Sequence, residues 1–278
     1  GRIPALFLIL ACLLCAGCLD TLPLPDFGGL PLPPSFLAGD GKLKAYFLDV
    51  GQGDATLVTF DNLTILIDAG EIGSGNRVVD DCRSLGVERI DLLVATHPHS
   101  DHIGGMQDVL AAFPVGRVLD AGMPHTSSLY TDFLETVDRQ NIRYTVAEQG
   151  QAIELAPALR IVVLSPPKAR NGDDLNGNSV VLRISYGTVD LLFTGDAGTA
   201  AEGTLLRYGY ALDAEVLKVG HHGSSHSTGS AFLDRVNPGV AVISVGADNP
   251  YGHPHAGTLD ALQRANVAMY RTARDGTV

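Results

Sequence analysis

The chain has 278 residues, of which 45% are hydrophobic and 18% are charged. This balance is typical of a folded protein and excludes an intrinsically disordered one, and the length suits one large domain or two small ones. With 31 acidic and 19 basic residues the net charge is −12. Such a charge argues against binding nucleic acid or anionic lipid through surface charge alone, although a nucleic acid held through metal ions stays open.

Residues 1–18 predict a lipoprotein-type signal segment. Residues 3–19 carry no charge, and this run is short for a membrane-spanning helix but suits the apolar part of a secretory signal. The small residues Ala16 and Gly17 precede Cys18, which is where a bacterial or archaeal lipoprotein signal places its lipidated cysteine. The alternative is an uncleaved N-terminal membrane anchor. Either interpretation places the rest of the chain outside the cytoplasm, membrane-anchored or secreted.

Residues 19–42 predict a Pro-rich tether. Five prolines lie between positions 23 and 34, a density that blocks helices and central strands and favours an extended link. The apolar residues in this stretch, such as Phe27 and Phe36, leave open that it packs along the domain surface instead. Once the signal is removed and Cys18 carries lipid, Cys82 is the remaining cysteine, and we interpret it as a small buried hydrophobe.

Residues 43–278 predict one layered α/β domain. Three β-rich runs joined by short turns, at 43–50, 55–60 and 64–67, predict an antiparallel meander. Apolar strands then alternate with segments of helical periodicity. The predicted strands are 91–95, 161–164, 179–184, 191–194, 215–219 and 240–245, and the predicted helices are 103–113, 129–137, 202–208 and 258–265.

The motif that carries most information follows the predicted strand 91–95. It places His97, His99 and His102 with Asp101 in six residues that open a helix. Imidazole nitrogens and carboxylate oxygens are the ligands that a zinc-like dication prefers. Alternation can direct His97 and His99 at one ion, while Asp101 and His102 face a second. The segment therefore predicts a metal site.

Two later motifs also follow predicted strands. Asp196 ends the segment Phe-Thr-Gly-Asp, and the paired His221 and His222 lie in the segment Gly-His-His-Gly-Ser. Strand ends hold loop residues in fixed positions, which is where α/β proteins build their sites. The paired histidines therefore favour a site, whereas a Gly-Asp turn after a strand is by itself commonplace.

Taken together, the motifs resemble a known family. The run from His97 to His102 resembles the HxHxDH signature of the metallo-β-lactamase superfamily, and the other motifs appear in that superfamily's order. A narrower resemblance is to the hydrolase domain at the C-terminal end of the competence protein ComEC and to its free-standing relatives. It covers residues 43–278 and rests on LDVGQGDA, HPHSDHIGGM, NSVVL, FTGD, LKVGHHGS, NPYGHP and RTARDGT. The family pattern normally continues past this last segment, so we expect a truncated C-terminus.

The resemblance implies an αββα sandwich of two mixed sheets flanked by helices, and two divalent metal ions, Zn²⁺ or Mn²⁺. In that family His97 and His99 would bind one ion. Asp101, His102 and either His221 or His222 would bind the other; His221 is favoured because it follows Gly220. Asp196 would bridge the two ions.

Further roles follow from the same resemblance. Asp49, at the end of the first strand, would orient the metal-binding loop. The catalytic set is then Asp49, Asp101, Asp196 and His222, where His222 contacts the substrate or donates a proton. Three further residues are expected beside the substrate, namely Asn178, Ser224 and His253.

One departure from the superfamily pattern affects the first metal position. The superfamily supplies a further histidine between the first cluster and Asp196, but here that interval contains only His125, which is either a ligand or an exposed loop residue. Asn178 stands where the subfamily commonly has asparagine, and oxygen-rich coordination favours Mn²⁺. Lys218 is expected to be solvated, or else to contact a phosphate.

These expectations predict a metal-dependent phosphodiesterase or nuclease that acts on DNA outside the cytoplasm through a metal-activated water. The alternatives are a hydrolase of a small phosphodiester or a lactone, and a non-catalytic surface module that binds metal or a polymer. The expected partners are a phosphodiester substrate and a membrane, reached through an N-terminal lipid anchor or helix. DNA binding by so acidic a chain requires a local basic groove.

Overall fold

The computed structural model describes residues 41–278. The predicted signal segment and the predicted tether up to residue 40 therefore lie outside the described residues. No helix among the described residues is both long enough and apolar enough to cross a membrane.

Six strands form the first sheet, and they lie side by side in chain order. The first three pair antiparallel and the last three join in parallel, which confirms the predicted meander. They are β1 (Leu43–Phe47), β2 (Thr56–Phe60), β3 (Leu63–Ile67), β4 (Leu92–Ala95), β5 (Arg117–Asp120) and β6 (Arg143–Val146).

Seven strands form the second sheet, again in chain order across it. They are β7 (Ala152–Ala156), β8 (Leu159–Ser165), β9 (Val181–Tyr186), β10 (Val189–Phe193), β11 (Val216–Lys218), β12 (Val240–Ile243) and β13 (Ala268–Arg271). β7 to β10 pair antiparallel, and β10 to β13 pair in parallel.

Residues 41–278 contain eight α-helices. They are α1 (Gly75–Ser84), α2 (Ser100–Ile103), α3 (Met106–Ala112), α4 (Ser128–Arg139), α5 (Thr199–Tyr208), α6 (Ser230–Val236), α7 (Ala256–Arg264) and α8 (Thr272–Asp275).

Three apolar clusters show that these elements form four layers. The outer face of the first sheet packs on α1, α3 and α4, the two sheets pack face to face, and the outer face of the second sheet packs on α5, α6 and α7. In β3, Leu66 faces the helices whereas Ile65 and Ile67 face the other sheet, as the two-residue period of a strand requires. The predicted αββα sandwich is confirmed.

The predicted helix 103–113 is two helices, and the break has a steric cause. Gly104 and Gly105 separate α2 from α3. A methyl group on Gly104 would clash with the backbone of Glu71 and Ile72, and one on Gly105 would clash with the backbone of Ala69 and Gly75. The two glycines therefore let the loop after β3 pack directly on the connection between α2 and α3.

Parallel pairing brings the motif-bearing loops together. β3, β4 and β5 run in one direction in the first sheet, as β10, β11 and β12 do in the second. The loops that follow β4, β10 and β11 carry the histidines and aspartates singled out above. An apolar cleft of about 290 Å³ lies elsewhere, lined by residues of β1 and β10 to β12 and by Val278, and none of the predicted site residues lines it.

Candidate metal centre

Asp68 organises the loop that carries the first histidines. It follows β3 directly and is fully buried. Its carboxylate accepts hydrogen bonds from the Thr96 backbone N–H at 2.8 Å and the Thr96 hydroxyl at 2.7 Å, and it lies 2.7 Å from Nδ1 of His102. A carboxylate on one nitrogen of an imidazole fixes the ring and directs the other nitrogen at a metal. Asp68 therefore occupies the orienting position that the sequence analysis gave to Asp49.

Two of the three histidines of the loop face Asp196, and the third contacts one of these two. Nε2 of His102 lies 3.2 Å from Oδ1 of Asp196, and Nε2 of His97 lies 3.9 Å from its Oδ2. Nε2 of His97 is also 2.9 Å from Nδ1 of His99. Asp196 is held in turn by Ser179, whose hydroxyl accepts its backbone N–H at 3.2 Å. The structure thus brings together all the residues predicted for the first metal position.

His222 completes the other side of the cluster. Its Nε2 lies 3.2 Å from Oδ2 of Asp101 and 3.6 Å from Oδ2 of Asp196. Its Nδ1 lies 2.9 Å from the carbonyl oxygen of Ser244, so Nδ1 carries the proton in a neutral ring and Nε2 has a free lone pair.

His221 lies at the edge of the cluster. Its Nε2 is 3.6 Å from Oδ2 of Asp196, and its side chain is 29% exposed whereas that of His222 is 2% exposed. Both histidines have positive φ, 47° and 52°, in a tight 3₁₀ turn at Gly220–Gly223. The choice of ligand between them stays a prediction, and the geometry favours His222.

The donor set fits divalent cations. Among the described residues, four triplets have ligand atoms within 4.8 Å of one another. Two consist of predicted ligands, His97 with His102 and Asp196, and Asp101 with His102 and His222, and the other two include Asp54. Nε2 of His102 and Oδ1 of Asp196 are buried and lie 3.2 Å apart, and within the described part of the chain neither atom makes a well-formed hydrogen bond. Buried lone pairs left unpaired are costly, and a cation between such atoms removes that cost. The predicted ligand assignments themselves remain predictions.

The electrostatics of the cluster attract positive charge. Burial alone would disfavour the imidazolium forms, yet the carboxylate of Asp196, with that of Asp68 or Asp54, raises the pKa of His102 well above its usual range and that of His222 to about 10. Burial would likewise raise the pKa of Asp196, but His102 and His222 hold it well below its usual range. The carboxylates therefore draw a proton or a metal ion to these two rings.

Asp49 lies outside the cluster. Its carboxylate pairs with Arg77 at 3.0 Å and accepts the Gly51 backbone N–H at 3.2 Å, so it stabilises the turn after β1 and the start of α1. The sequence contains a signal for Asp68, because this aspartate directly follows the apolar residues of β3. Asp196 likewise comes shortly after the apolar residues of β10.

Two residues predicted to contact substrate make internal contacts. The side-chain amide of Asn178 accepts the Asn171 backbone N–H at 2.9 Å and donates to the Asp174 carbonyl at 2.7 Å, and thereby braces the loop that precedes β9. The buried hydroxyl of Ser224 accepts the backbone N–H of His226 at 3.3 Å. Their predicted substrate contacts remain untested.

His253 lies beside the cluster in a ring stack. Its ring centroid is 5.5 Å from that of His221, 6.3 Å from that of His222 and 5.7 Å from that of the exposed Tyr251. Burial and the neighbouring histidines lower the pKa of His253 to about 4, so the ring is neutral at pH 7. This position suits its predicted role beside the substrate. His125, in contrast, lies 2.8 Å from the Ser127 hydroxyl through its Nδ1.

Lys218 differs from the expectation of a solvated side chain. It is 2% exposed, and its ammonium pairs with the carboxylate of Asp54 at 2.5 Å and donates to the Val219 carbonyl at 2.8 Å. Asp54 lies in the segment LDVGQGDA, from which the sequence analysis singled out Asp49 alone. Cys82, by contrast, is free and buried, as predicted.

This fold and site define a class of protein. The family model described as the metallo-β-lactamase superfamily matches residues 48–247, and the chain belongs to that superfamily. Among solved structures, the metallo-β-lactamase fold protein YhfI from Bacillus subtilis has a TM-score of 0.57 at 12% identity, covering 84% of this chain and 98% of that one. The metallo hydrolase Igni18 from Ignicoccus hospitalis has a TM-score of 0.55 at 18% identity, covering 84% and 97%. At these identities the likeness concerns the fold.

Sequence relatives place the chain near competence proteins within this superfamily. Competence protein ComA from Neisseria gonorrhoeae is 34% identical over 232 residues, which is 83% of this chain and 31% of that protein. ComE operon protein 3 from Bacillus subtilis is 29% identical over 260 residues, or 87% and 33%. The predicted resemblance to competence-protein domains is confirmed. The chain spans about a third of the length of these relatives.

Proposed function

We propose that the chain is a metal-dependent phosphodiesterase that cleaves DNA. The observation that carries this proposal is the convergence of His97, His102 and His222 on the buried carboxylate of Asp196, within 3.9 Å in each case. Bound there, two divalent cations would activate a water and neutralise a phosphodiester oxygen.

The residues of the chain have distinct tasks in this proposal. His97 and His99 would hold one cation, Asp101, His102 and His222 would hold the other, and Asp196 would contribute its carboxylate. Asp68 keeps His102 in position through Nδ1. Burial lowers the pKa of the partly exposed His221, so its neutral ring can accept a proton from the attacking water and, as the imidazolium so formed, return it to the leaving oxygen of a substrate.

The DNA part of the proposal is supported by the relatives. The name of one relative refers to competence, and that of another, Recombination protein 2 from Haemophilus influenzae, refers to recombination; both are processes of DNA. The net charge of −12 disfavours general attraction to DNA, so contact has to be local and made chiefly by the metal centre. A small phosphodiester or a lactone is the alternative substrate, and a metal-binding module without catalysis is the alternative from another class.

The test is cleavage by the full chain. The chain is incubated with end-labelled single- and double-stranded DNA and with Mn²⁺ or Zn²⁺, beside an Asp196→Ala variant. The matched control is Asp234→Ala, which removes an exposed aspartate on α6. Cleavage by the wild type and the control, lost in Asp196→Ala, supports the proposal.

Intact DNA with a folded, metal-loaded wild type contradicts the nuclease. Small phosphodiesters and lactones are then the next substrates to try, and failure on all of them favours the binding module.

The proposal also includes a location outside the cytoplasm, with a lipid on Cys18 as the membrane anchor. Labelled palmitate should be incorporated into the chain when it is expressed in bacteria with an initiating methionine. Cys18→Ser should abolish the label and release the chain from the membrane fraction, whereas Cys15→Ser should change neither. A chain that stays in the membrane fraction in Cys18→Ser without any label would favour an uncleaved N-terminal anchor, and label retained in that variant would place the lipid on another cysteine.

A further inference from the structure

The buried ion pair of Lys218 and Asp54 is not used by the mechanism above. Lys218 ends β11 in the middle of the second sheet, and its side chain is 3% exposed while that of Asp54 is 5% exposed. Burying a charge is costly unless it is paired and hydrogen-bonded. Lys218 lies four residues before His222 in the sequence. A buried ion pair so close to the metal centre suggests a role beyond packing.

Asp54 lies behind the two rings of the metal centre. Its Oδ1 is 3.3 Å from Nδ1 of His222, and its Oδ2 is 4.0 Å from Nδ1 of His102. The other nitrogen of each ring, Nε2, faces Asp196 in the case of His102 and Asp101 in the case of His222. The carboxylate therefore acts on the side of the rings that sets their orientation.

The backbone of Asp54 is tied to the same centre. Its N–H donates to the carbonyl of Asp101 at 3.0 Å, and its carbonyl accepts the N–H of Gly70 at 2.8 Å. Gly53 has a φ of 124°, and a methyl group there would clash with the Asp101 carbonyl. Asp54 is thus held between the loops that follow β3 and β4, while Lys218 reaches it from the second sheet.

We propose that Lys218, acting through Asp54, is a positioning residue of the metal centre. The ammonium holds the Asp54 carboxylate in place behind His222 and His102, so that both rings present Nε2 to a cation. The contact joins the two sheets at the point where their loops meet.

Asp54 could itself be taken for a metal ligand, since it forms a compact triplet with Asp196 and His222. The ammonium of Lys218 already compensates its charge, and a cation placed on the same carboxylate would be repelled by it. Lys218 thereby leaves Asp54 to orient the rings and leaves binding to the Nε2 side.

The test compares Lys218→Met, Asp54→Asn and the double variant in the full chain. Mn²⁺ affinity is measured by calorimetric titration after chelator treatment, Co²⁺ absorption reports the ligand geometry, and the melting temperature is taken without metal. Removing one charge leaves the other buried and unpaired, so each single variant should melt at a lower temperature. Removing both charges together should restore the melting temperature.

The two roles of the pair separate in the double variant. If the pair positions the rings, Mn²⁺ affinity stays about 10–100-fold weaker than in the wild type and the Co²⁺ spectrum stays changed, although stability has recovered. Recovery of wild-type affinity and spectrum along with the melting temperature overturns the proposal, because the pair is then merely structural. Should these variants fail to fold, Lys218→Gln keeps the hydrogen bond to Val219 without the charge, and wild-type affinity in that variant overturns the proposal equally.

The matched control is the half-buried pair Arg183 and Asp190 of the same sheet, 2.6 Å apart. The double variant Arg183→Met with Asp190→Asn should leave Mn²⁺ affinity unchanged, and a comparable loss there would contradict a specific role for Lys218. The inference rests on the metal dependence in the proposed function but is scored by titration. A wild type that binds Mn²⁺ and leaves DNA intact contradicts the proposed nuclease alone.

Discussion

At the scale of single residues, the position of an aspartate relative to its strand decides its role. Asp49 and Asp68 both follow strands of the meander, but Asp49 turns to Arg77 at the surface whereas Asp68 turns inward to Thr96 and His102. The sequence pattern marks both residues alike. What distinguishes them is that Asp68 packs against the loop that follows β4, which carries Thr96 and His102.

Asp68→Asn should therefore weaken Mn²⁺ binding by about 10–100-fold, because His102 loses the carboxylate that orients it. Asp49→Asn should leave the affinity within about twofold, since its contacts lie at the turn after β1. Calorimetric titration of both variants checks the prediction. A larger loss in Asp49→Asn than in Asp68→Asn would restore the assignment made from sequence.

His221 and His222 are adjacent in sequence, and their difference in burial predicts different effects. His222→Ala should release one of two bound metal ions, because its buried Nε2 lies between Asp101 and Asp196. His221→Ala should retain both ions and lower the turnover rate by about 10²-fold or more, as expected for loss of a proton-transfer group. Metal content by mass spectrometry and kinetics on the same samples distinguish the two. The reverse pattern would make His221 the ligand.

At the scale of elements, glycine positions decide how the α2–α3 connection packs. Gly105→Ala should lower the free energy of unfolding by at least about 2 kcal/mol, because its methyl group meets rigid backbone at Ala69 and Gly75. Gly203, inside α5, has open space around it. Gly203→Ala should be neutral or stabilising by up to about 1 kcal/mol, since alanine favours helix. Chemical denaturation of both variants measures this contrast, and equal effects would contradict it.

Helix α5 supports α6 through one carboxyl group, and this contact predicts a dependence on pH. Glu202 accepts the backbone N–H groups of Thr228 and Gly229, and burial raises its pKa from 4.5 to about 7. A pKa raised on folding means that the folded state binds the proton more tightly. The stability from this group is thus fully present below pH 4.5 and is lost as the pH rises through 7.

The size of this effect is about 3 kcal/mol, from the shift in pKa. Between pH 4.5 and 8 the wild type should therefore lose about this much unfolding free energy relative to Glu202→Gln, which cannot ionise at this position. Denaturation series at several pH values measure it. A difference that stays constant with pH would show that Glu202 is ionised in the folded state throughout.

Several elements were missing from the sequence analysis for identifiable reasons. It did not predict α1, whose buried residues are few, or β6, whose four residues are largely exposed and lie at the edge of the first sheet. The edge strand β13 was missed in the same way, since none of its four residues is fully buried. A short strand that buries little has no alternation strong enough to detect, and its pairing is decided by the neighbouring strand. The interior strand β5 was missed as well, although three of its four residues are buried, and so was the edge strand β7. The remaining interior strands were predicted within a few residues.

At the scale of the whole molecule, the metal centre links the two sheets. His97, Asp101 and His102 come from the first sheet, and Asp196 and His222 come from the second. A metal bound between them stabilises the folded chain but has no comparable site in the unfolded chain.

Saturating Mn²⁺ should therefore raise the melting temperature of the chelator-treated chain by about 5–10 °C. The estimate corresponds to roughly 2.7 kcal/mol at a hundredfold excess over Kd. Asp196→Asn should abolish the shift because the carboxylate between the two positions is lost. Differential scanning calorimetry measures both, and an equal shift in the variant would place the stabilising ion elsewhere.

The sequence by itself determined the layered α/β character of the domain and the principal metal-site motifs, because ligand spacing, strand alternation and turn residues are all encoded within short windows. The superfamily and the αββα layering followed from the resemblance that those motifs carry. The tertiary structure decided which of several similar aspartates faces inward, which of two adjacent histidines is buried, and that Lys218 pairs with Asp54 across the chain. Each of these depends on how two loops distant in sequence approach one another, and no pattern within a single window specifies that approach.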